Sequence, residues 1–440
     1  MSEVRVGLIG LGTIGTGVAR ILLEQTELMA RRLGKRVRLT AVCDRDLSHD
    51  ITHHRGLDLS GVRLVHDAAK MLAADDIDII VELIGGYEPA RSLVVEAIGH
   101  GKHIVTANKA LIAKHGEELF TLAAQHGTAI GFEAAIGGGI PCLKALREGL
   151  AANAITSVHG ILNGTCNYIL TRMEDEGADY HDVLRDAQTL GYAEADPTFD
   201  VEGVDTAHKL AILGAMAFGS TIDFASVHTE GIAAITPDDI ASASELGFRI
   251  KLLGIAKPHG DGVEMRVHPT LVPIESQIAQ VSDSYNAVLI SGDFVENTMY
   301  YGRGAGERPT ASAVVADILD IARALPDGIA HLAPPMGFPA AHRLNLATTP
   351  IAEVECEYFL RLMVQDEPGS IAAITQILAD HRISLEAVIQ KARHQTQAVP
   401  IVLLTHQTRE GNLNTAISRI AALESVQGEA MILRIERFGA

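Results

Sequence analysis

Val4 to Ile9 is a short apolar run that ends in Gly10-Leu11-Gly12-Thr13-Ile14-Gly15, after which apolar positions recur at Val18, Ile21, Leu22 and Leu28. This pattern predicts a strand, a glycine turn and a helix. Apolar stretches of strand length follow at RLTAVCD, IDIIVELIGG, KHIVTANK and TAIGFEAAIGGG, separated by segments with helical spacing such as Pro89 to Gly99. Strands alternating with helices predict a doubly wound parallel sheet of Rossmann type. Beyond residue 150 the alternation gives way to SVHGILNGTCNYIL, read as a strand running into a Gly-Thr turn and a helix. Asp196-Pro197 marks a turn, and from Val201 onward apolar residues at three and four spacing predict a helix continuing through KLAILGAMAFG. Residues 325–350, rich in Pro and Ala with little periodicity, read as a connector. The remainder reads β-α-β-β-α-β through EYFLRLMVQD, SIAAITQILADH, ISLEAVIQKA, AVPIVLLTHQ, NLNTAISRIAAL and EAMILRIER.

A chain of 440 residues is too long for one core, so two or three domains are expected. A net charge of −19 without a basic stripe argues against a nucleic-acid surface, which needs clustered Lys and Arg to meet phosphates. Cys43, Cys142, Cys166 and Cys356 lack CxxC spacing, so reduced thiols in a cytoplasmic protein are expected instead of a disulfide framework or zinc site. MSEVRVGLIG runs directly into a strand without the layout of a secretory leader, and no stretch reaches the roughly 18 unbroken apolar residues of a spanning helix, so no membrane partner is expected.

In a strand–GxGxxG–helix unit the first glycine allows the tight turn, the second lets backbone amides approach a pyrophosphate, and the third lets the helix pack closely. A dinucleotide site is therefore expected at Gly10, Leu11, Gly12, Thr13, Ile14 and Gly15. Asp44 ends the second strand, where a carboxylate binds the ribose hydroxyls of NAD, while the neighbouring Arg45 could hold the extra phosphate of NADP; the pair points both ways. Lys109 follows the strand at residues 103–106 and falls at the carboxyl edge of the sheet, where ligands bind. A lysine that starts a helix gains nothing from the helix dipole, so either it meets an anion or carbonyl or it is a surface lysine. Gly131-Phe132-Glu133-Ala134-Ala135-Ile136-Gly137-Gly138-Gly139-Ile140-Pro141 offers freed carbonyls and one carboxylate, which suits a hard cation or serves as a flexible connector.

The stretch LGYAEADPTFDVEGVDTAHKL, residues 190–210, crowds carboxylates around a single lysine. Asp205 and Lys209 are four apart and share a helix face. An exposed pair of this kind contributes a few tenths of a kcal/mol. The helix, however, continues into an almost wholly apolar segment, so Lys209 is expected at the edge of a buried element, where desolvation of the ammonium suits it to proton transfer.

Ala187, Gly191-Tyr192-Ala193, Asp196-Pro197, Asp200-Val201, Gly203, Asp205 and Lys209 resemble, at the right spacings, the signature of homoserine dehydrogenases. The resemblance extends to GLIGLGTIGTGV, TANKALIA, FEAAIGGGIP and ILNGTCNYIL, roughly the first three-quarters of the chain. It implies reversible hydride transfer between aspartate 4-semialdehyde and homoserine, with NADP or NAD as cofactor. It further implies Glu194 and Asp205 as carboxylates for the substrate ammonium and Lys209 as proton donor to the carbonyl oxygen. Gly164, Thr165, Tyr192 and Asp200 would line the substrate, and Lys109 would sit between substrate and cofactor beside Gly85 and Thr106. Cys166 departs from the threonine found there in many members, a packing difference. EAAIGGGI resembles the family's monovalent-cation loop, implying sodium or potassium held by Glu133 and the carbonyls of Ile136, Gly138 and Ile140. The loop Tyr301-Gly302-Arg303-Gly304-Ala305-Gly306 would return to the cofactor through Gly304 and Gly306.

The C-terminal order resembles the ACT regulatory domain, with Asp366, Pro368 and Gly369 at its ligand turn; the expected effector is threonine, the alternative a purely dimerising unit. The expected architecture is thus a Rossmann-type α/β dinucleotide-binding domain (1–150, with 300–345 returning to it), an α+β catalytic and dimerisation domain (151–299) and an ACT βαββαβ domain (351–440). Assembly as a dimer or tetramer is expected by analogy. The competing readings are a non-catalytic amino-acid and nucleotide sensor, disfavoured because Lys109 and Lys209 are both present, and a same-fold dehydrogenase of another amino-acid aldehyde.

Overall fold

The computed structural model describes residues 3–47, 55–325, 328–390 and 398–438. Lys391 and Ala392, the end of the expected strand ISLEAVIQKA, lie outside the described residues. The chain forms two compact units: Met1–Gly164 with His208–Ser226 and Tyr285–Leu346, and Thr165–Ala207 with Val227–Ser284 and Ala347–Ala440.

The first unit is built on six strands: β1 (Glu3–Ile9), β2 (Arg36–Cys43), β3 (Arg63–Val65), β4 (Ile79–Glu82), β5 (His103–Thr106) and β6 (Ile130–Gly131). Their spatial order is β3-β2-β1-β4-β5-β6 and all pairings are parallel. Continuous apolar runs form these strands because both faces of a parallel sheet are covered. The helix Thr13–Glu24 covers one face, and the helix Glu307–Ala324 packs on it, so that Val18 and Leu22 share a core with Ala311, Val314 and Ile318. Each fully buried Val, Leu or Ile side chain among these contributes about 1.5–3 kcal/mol. Gly17 allows this approach, since a Cβ there would lie 2.9 Å from the Ala311 Cβ. An antiparallel trio, Ile155–Ile161, Tyr285–Gly292 and Glu296–Arg303, completes the unit.

The second unit carries an antiparallel hairpin, Phe248–His259 with Gly262–Pro273. The C-terminal module adds strands in the order Val426–Ile435, Glu355–Gln365, Ala398–Thr405, Leu385–Gln390, with helices Ser370–Asp380 and Glu410–Ala421 packed over its own core of Tyr358, Leu360, Ile374, Leu378 and Leu413. Strand Val426–Ile435 also pairs in parallel with Gly262–Pro273, Thr270 opposite Arg434 and Leu271 opposite Ile435. That pairing, with the ion pairs Arg361–Asp239 and Arg434–Glu230, ties the C-terminal module to residues 227–284 within the second unit.

Two expected elements differ. TAIGFEAAIGGG gives only the two-residue strand Ile130–Gly131 and then a short helical turn, Glu133–Ala135. The single helix expected from Val201 is split into Thr198–Val201 and Val204–Phe218. Gly203 between them has φ +81°, which a continuous right-handed helix cannot accommodate.

Candidate active site

The glycine turn sits at the carboxyl end of β1. Gly10 has φ +94°, and a Cβ there would come within 2.7 Å of the Leu83 carbonyl; at Gly15 it would come within 2.0 Å of the Gly10 carbonyl. Gly12 caps the helix Thr13–Glu24 without a side-chain partner, and a Cβ there would meet open space. The helix amides therefore open toward that space, as anion binding requires. Thr13 is exposed, Ile14 half-buried and Leu11 buried. The Leu11 amide donates to Asp44 Oδ2 at 2.5 Å, which holds the Asp44 carboxylate against the loop, and Arg45 is exposed beside it.

The ends of β4 and β5 are joined by a polar cluster in which Gly85 and Thr106 were expected site residues, while Glu82 and Asn108 carried no signal in the sequence. Glu82, fully buried, accepts from the Ile84 and Gly85 amides at 2.7 and 3.2 Å and from the Thr106 hydroxyl at 2.7 Å. The Asn108 amide donates to the Thr106 hydroxyl at 3.0 Å; its side chain donates to Gly86 O at 2.7 Å and accepts from the Leu111 amide at 3.1 Å. The Thr106 hydroxyl is thus committed to shaping the Gly85–Gly86 turn. Lys109, half-buried, starts the helix Lys109–His126 directly after Asn108.

Asp205 and Lys209 are both buried on one face of the helix Val204–Phe218, which removes the reading of an exposed surface pair. Lys209 Nζ donates to the Leu162 carbonyl at 2.6 Å, placing its ammonium beside the Leu162-Asn163-Gly164 turn. Leu162 was invisible as a partner because it acts through its backbone. In the second unit, Thr165 Oγ1 donates to Tyr192 O at 2.7 Å and the Tyr192 ring stacks on Tyr168 at 4.6 Å. Cys166 Sγ contacts Asp200 O at 3.2 Å. The Glu194 side chain is exposed, as is Tyr192, and the Glu194 carbonyl accepts from the Gln188 side-chain amide at 3.1 Å.

Glu133, Ile136, Gly138 and Ile140 form a buried-walled loop. Gly138 has φ +54°, and a Cβ there would come within 2.4 Å of Gly304 O, so the two glycine loops touch. Gly306 caps the helix Glu307–Ala324 with φ +113°. Glu133 Oε1 accepts from the Leu143 amide at 3.0 Å, and Oε2 is buried with no hydrogen-bond partner among the described residues. Burial, and then the neighbouring Asp317 carboxylate, push the Glu133 carboxyl up to about 7, while burial, with a smaller push from Glu148, raises Asp317 to about 6. An unpartnered buried carboxylate oxygen among carbonyls fits a hard cation.

In the C-terminal module the exposed Asp366 accepts from the Gln390 side chain at 3.0 Å, and Gly369, φ +102°, caps the helix Ser370–Asp380 without a side-chain partner. All four cysteines are buried and none is joined in a disulfide. Among the described residues no helix is long and apolar enough to cross a membrane.

A glycine loop at the switch of a parallel sheet, with a buried lysine on a following helix, defines a dinucleotide-dependent oxidoreductase. Family profiles match in three places: "Homoserine dehydrogenase, NAD binding domain" over residues 10–133, "Homoserine dehydrogenase" over 141–319 and "ACT domain" over 358–425. The homoserine dehydrogenase of Neisseria gonorrhoeae is 46% identical over 436 residues, covering 99% of both chains, and that of Pseudomonas aeruginosa is 44% identical over 438 residues, covering 99% of this chain and all of the relative. The crystal structure of a homoserine dehydrogenase from Thiobacillus denitrificans superposes with a TM-score of 0.94 at 48% identity, covering 100% of this chain and 99% of that one. The chain belongs to the homoserine dehydrogenase family, a family of oxidoreductases, and carries a C-terminal ACT domain.

Proposed function

We propose that the protein interconverts L-aspartate 4-semialdehyde and L-homoserine with NADP or NAD, on the route to threonine and methionine. The observation that carries the chemistry is the burial of Lys209 and Asp205 one helical turn apart. The Gly10–Gly15 loop would hold the pyrophosphate of a nicotinamide dinucleotide, which would supply or accept the hydride. Lys209 holds the proton for the substrate oxygen and stabilises the alkoxide that develops there. The Leu162 carbonyl aims its ammonium. Asp205 and Glu194 neutralise the substrate ammonium; Gly164, Thr165, Tyr192 and Asp200 shape its pocket. Lys109, fixed by the Asn108 cap, stands between substrate and cofactor. Asp44 and Arg45 read the adenosine ribose, and Gly85, Thr106, Gly304 and Gly306 border the cofactor. Glu133, with the carbonyls of Ile136, Gly138 and Ile140, holds a sodium or potassium ion that stiffens the loop.

The working parts are a dinucleotide domain (1–150 with 300–345), a substrate and dimerisation domain (151–299) and an ACT domain (351–440). The ACT domain lowers activity by binding threonine at Asp366, Pro368 and Gly369, whose helix amides suit an amino-acid carboxylate. The protein acts in the cytoplasm as a dimer or tetramer. Lys209→Ala tests the central role: kcat should fall by about 10²–10⁴-fold with cofactor affinity intact. Near-normal turnover with an unchanged pH profile would remove Lys209 from proton transfer.

A further inference from the structure

The second unit contains a buried ionic bridge that none of the roles above uses. Arg434, on the last strand of the C-terminal module, is 4% exposed and engages two carboxylates at once. Nε and Nη2 donate to Glu410 at 2.7 and 2.5 Å, and Nη1 and Nη2 donate to Glu230 at 2.9 and 2.8 Å. Glu410 opens the module's helix Glu410–Ala421 and also accepts from Tyr358 Oη at 3.3 Å. Glu230 belongs to the segment after strand His228–Thr229, and its carboxylate meets His228 Nε2 at 2.7 Å. Burial alone would push the Glu230 carboxyl up, but His228 and Arg434 outweigh it and hold it well below the usual carboxylate range.

Beyond Glu230 the chain presses on the substrate signature. The Ile232 amide donates to the Val201 carbonyl at 2.9 Å. Gly231 lies so close that a Cβ would come within 2.5 Å of Val201 O and 2.7 Å of Glu202 Cα. On the other side of the turn, a Cβ at Gly203 would come within 3.1 Å of Thr229 Cγ2 and 3.3 Å of Glu230 O. Val201–Gly203 is the turn between Asp200 and Asp205. The path from the C-terminal module to those two carboxylates is therefore a paired guanidinium, one glutamate backbone and one close-packed turn. Close packing of this kind transmits displacement because there is no void to absorb it.

We propose that Arg434 and Glu230 are positioning residues for homoserine binding: the C-terminal module sets the Asp200–Asp205 turn through the Glu410–Arg434–Glu230 bridge. The proposal rests on the reading of Asp200 and Asp205 as substrate residues. A guanidinium with both edges filled by carboxylates fixes direction as well as distance, so weakening one edge should let the Glu230 segment, and with it the turn, relax.

The test is steady-state kinetics on the full-length chain carrying Glu230→Gln, Arg434→Lys or both. Glu230→Gln keeps side-chain volume and leaves the Arg434–Glu410 pair in place, so it remains a valid test if Arg434→Lys fails to fold. We expect KM for L-homoserine to rise about tenfold, with KM for the nicotinamide cofactor within about twofold. The double variant should be no worse than the worse single one, because both remove the same coupling. An unchanged homoserine KM in folded Glu230→Gln, or an equal rise in both KM values, would overturn the proposal. Asp205→Asn measured alongside keeps the two claims apart: normal homoserine kinetics there overturns the substrate reading itself. An Asp205 effect without a Glu230 effect overturns only the positioning.

Discussion

At the scale of single residues, the environment decides what each charged group can do. Asp44 is held by the Leu11 amide at the rim of the glycine loop, where a ribose hydroxyl would compete for the same carboxylate. Asp44→Ala should shift the ratio of NAD to NADP turnover toward NADP, read from kcat/KM with each cofactor; an unchanged ratio would mean that Asp44 does not touch the ribose. Lys251 gives a prediction about stability. It is 1% exposed, donates to Val281 O at 2.7 Å and to Asn167 Oδ1 at 3.3 Å, and burial pulls its ammonium down to about 8 from the ordinary 10.5. Between those two pH values the unfolded chain binds more protons than the folded one, so stability rises with pH. Denaturant unfolding should show a gain on the order of 1–3 kcal/mol from pH 8 to 10.5 that disappears in Lys251→Met. A flat difference between the two proteins would contradict it. The placement of the Gly10–Gly15 turn, of Asp44 at the end of the second strand and of Asp205 and Lys209 on one helix face was legible in the sequence because it follows from local spacing. Glu82, Leu162 and Arg434 were not, because each acts on a partner 24 to 204 residues away.

At the scale of elements, periodicity located the main strands and helices of the first 150 residues and the C-terminal βαββαβ order, but it named none between residues 220 and 300, where the hairpin Phe248–His259 with Gly262–Pro273 and the strands Tyr285–Gly292 and Glu296–Arg303 lie. It failed where backbone geometry overrides pattern. Apolar spacing continues through Gly203, yet its positive φ splits the helix and turns the chain between Asp200 and Asp205. The apolar run after Ile130 leaves the sheet after two residues, where Gly131 packs against Asp317, 2.7 Å from a notional Cβ, and the Glu133 amide donates to Asp317 at 2.8 Å. Gly17 carried no signal in the sequence either, although it sets the distance between Thr13–Glu24 and Glu307–Ala324. Gly17→Val would drive methyls into Ala311 and Glu307 and should cost about 1–3 kcal/mol. Calorimetry should show the lower Tm, and an unchanged Tm would mean that the two helices separate without penalty.

At the scale of the whole molecule, a dinucleotide-binding fold, a buried lysine helix and an ACT domain share one chain. Within the second unit the module shares a parallel strand pair and the Arg434 bridge with residues 227–273, so an effector bound at the proposed Gly369 turn would have a physical route to the Asp200–Asp205 turn. Gly369→Val should weaken inhibition by L-threonine about tenfold, judged against the variant's own uninhibited rate, because a β-branched residue resists φ +102°. Equal inhibition of variant and parent would place the effector elsewhere. The measurement that tests the central claim most directly is the initial rate of nicotinamide reduction by L-homoserine in the full-length protein, with NAD⁺ and NADP⁺ in turn and sodium or potassium present. The account predicts saturable, homoserine-dependent reduction of at least one cofactor. Folded protein that binds a cofactor but reduces neither form with homoserine would contradict it.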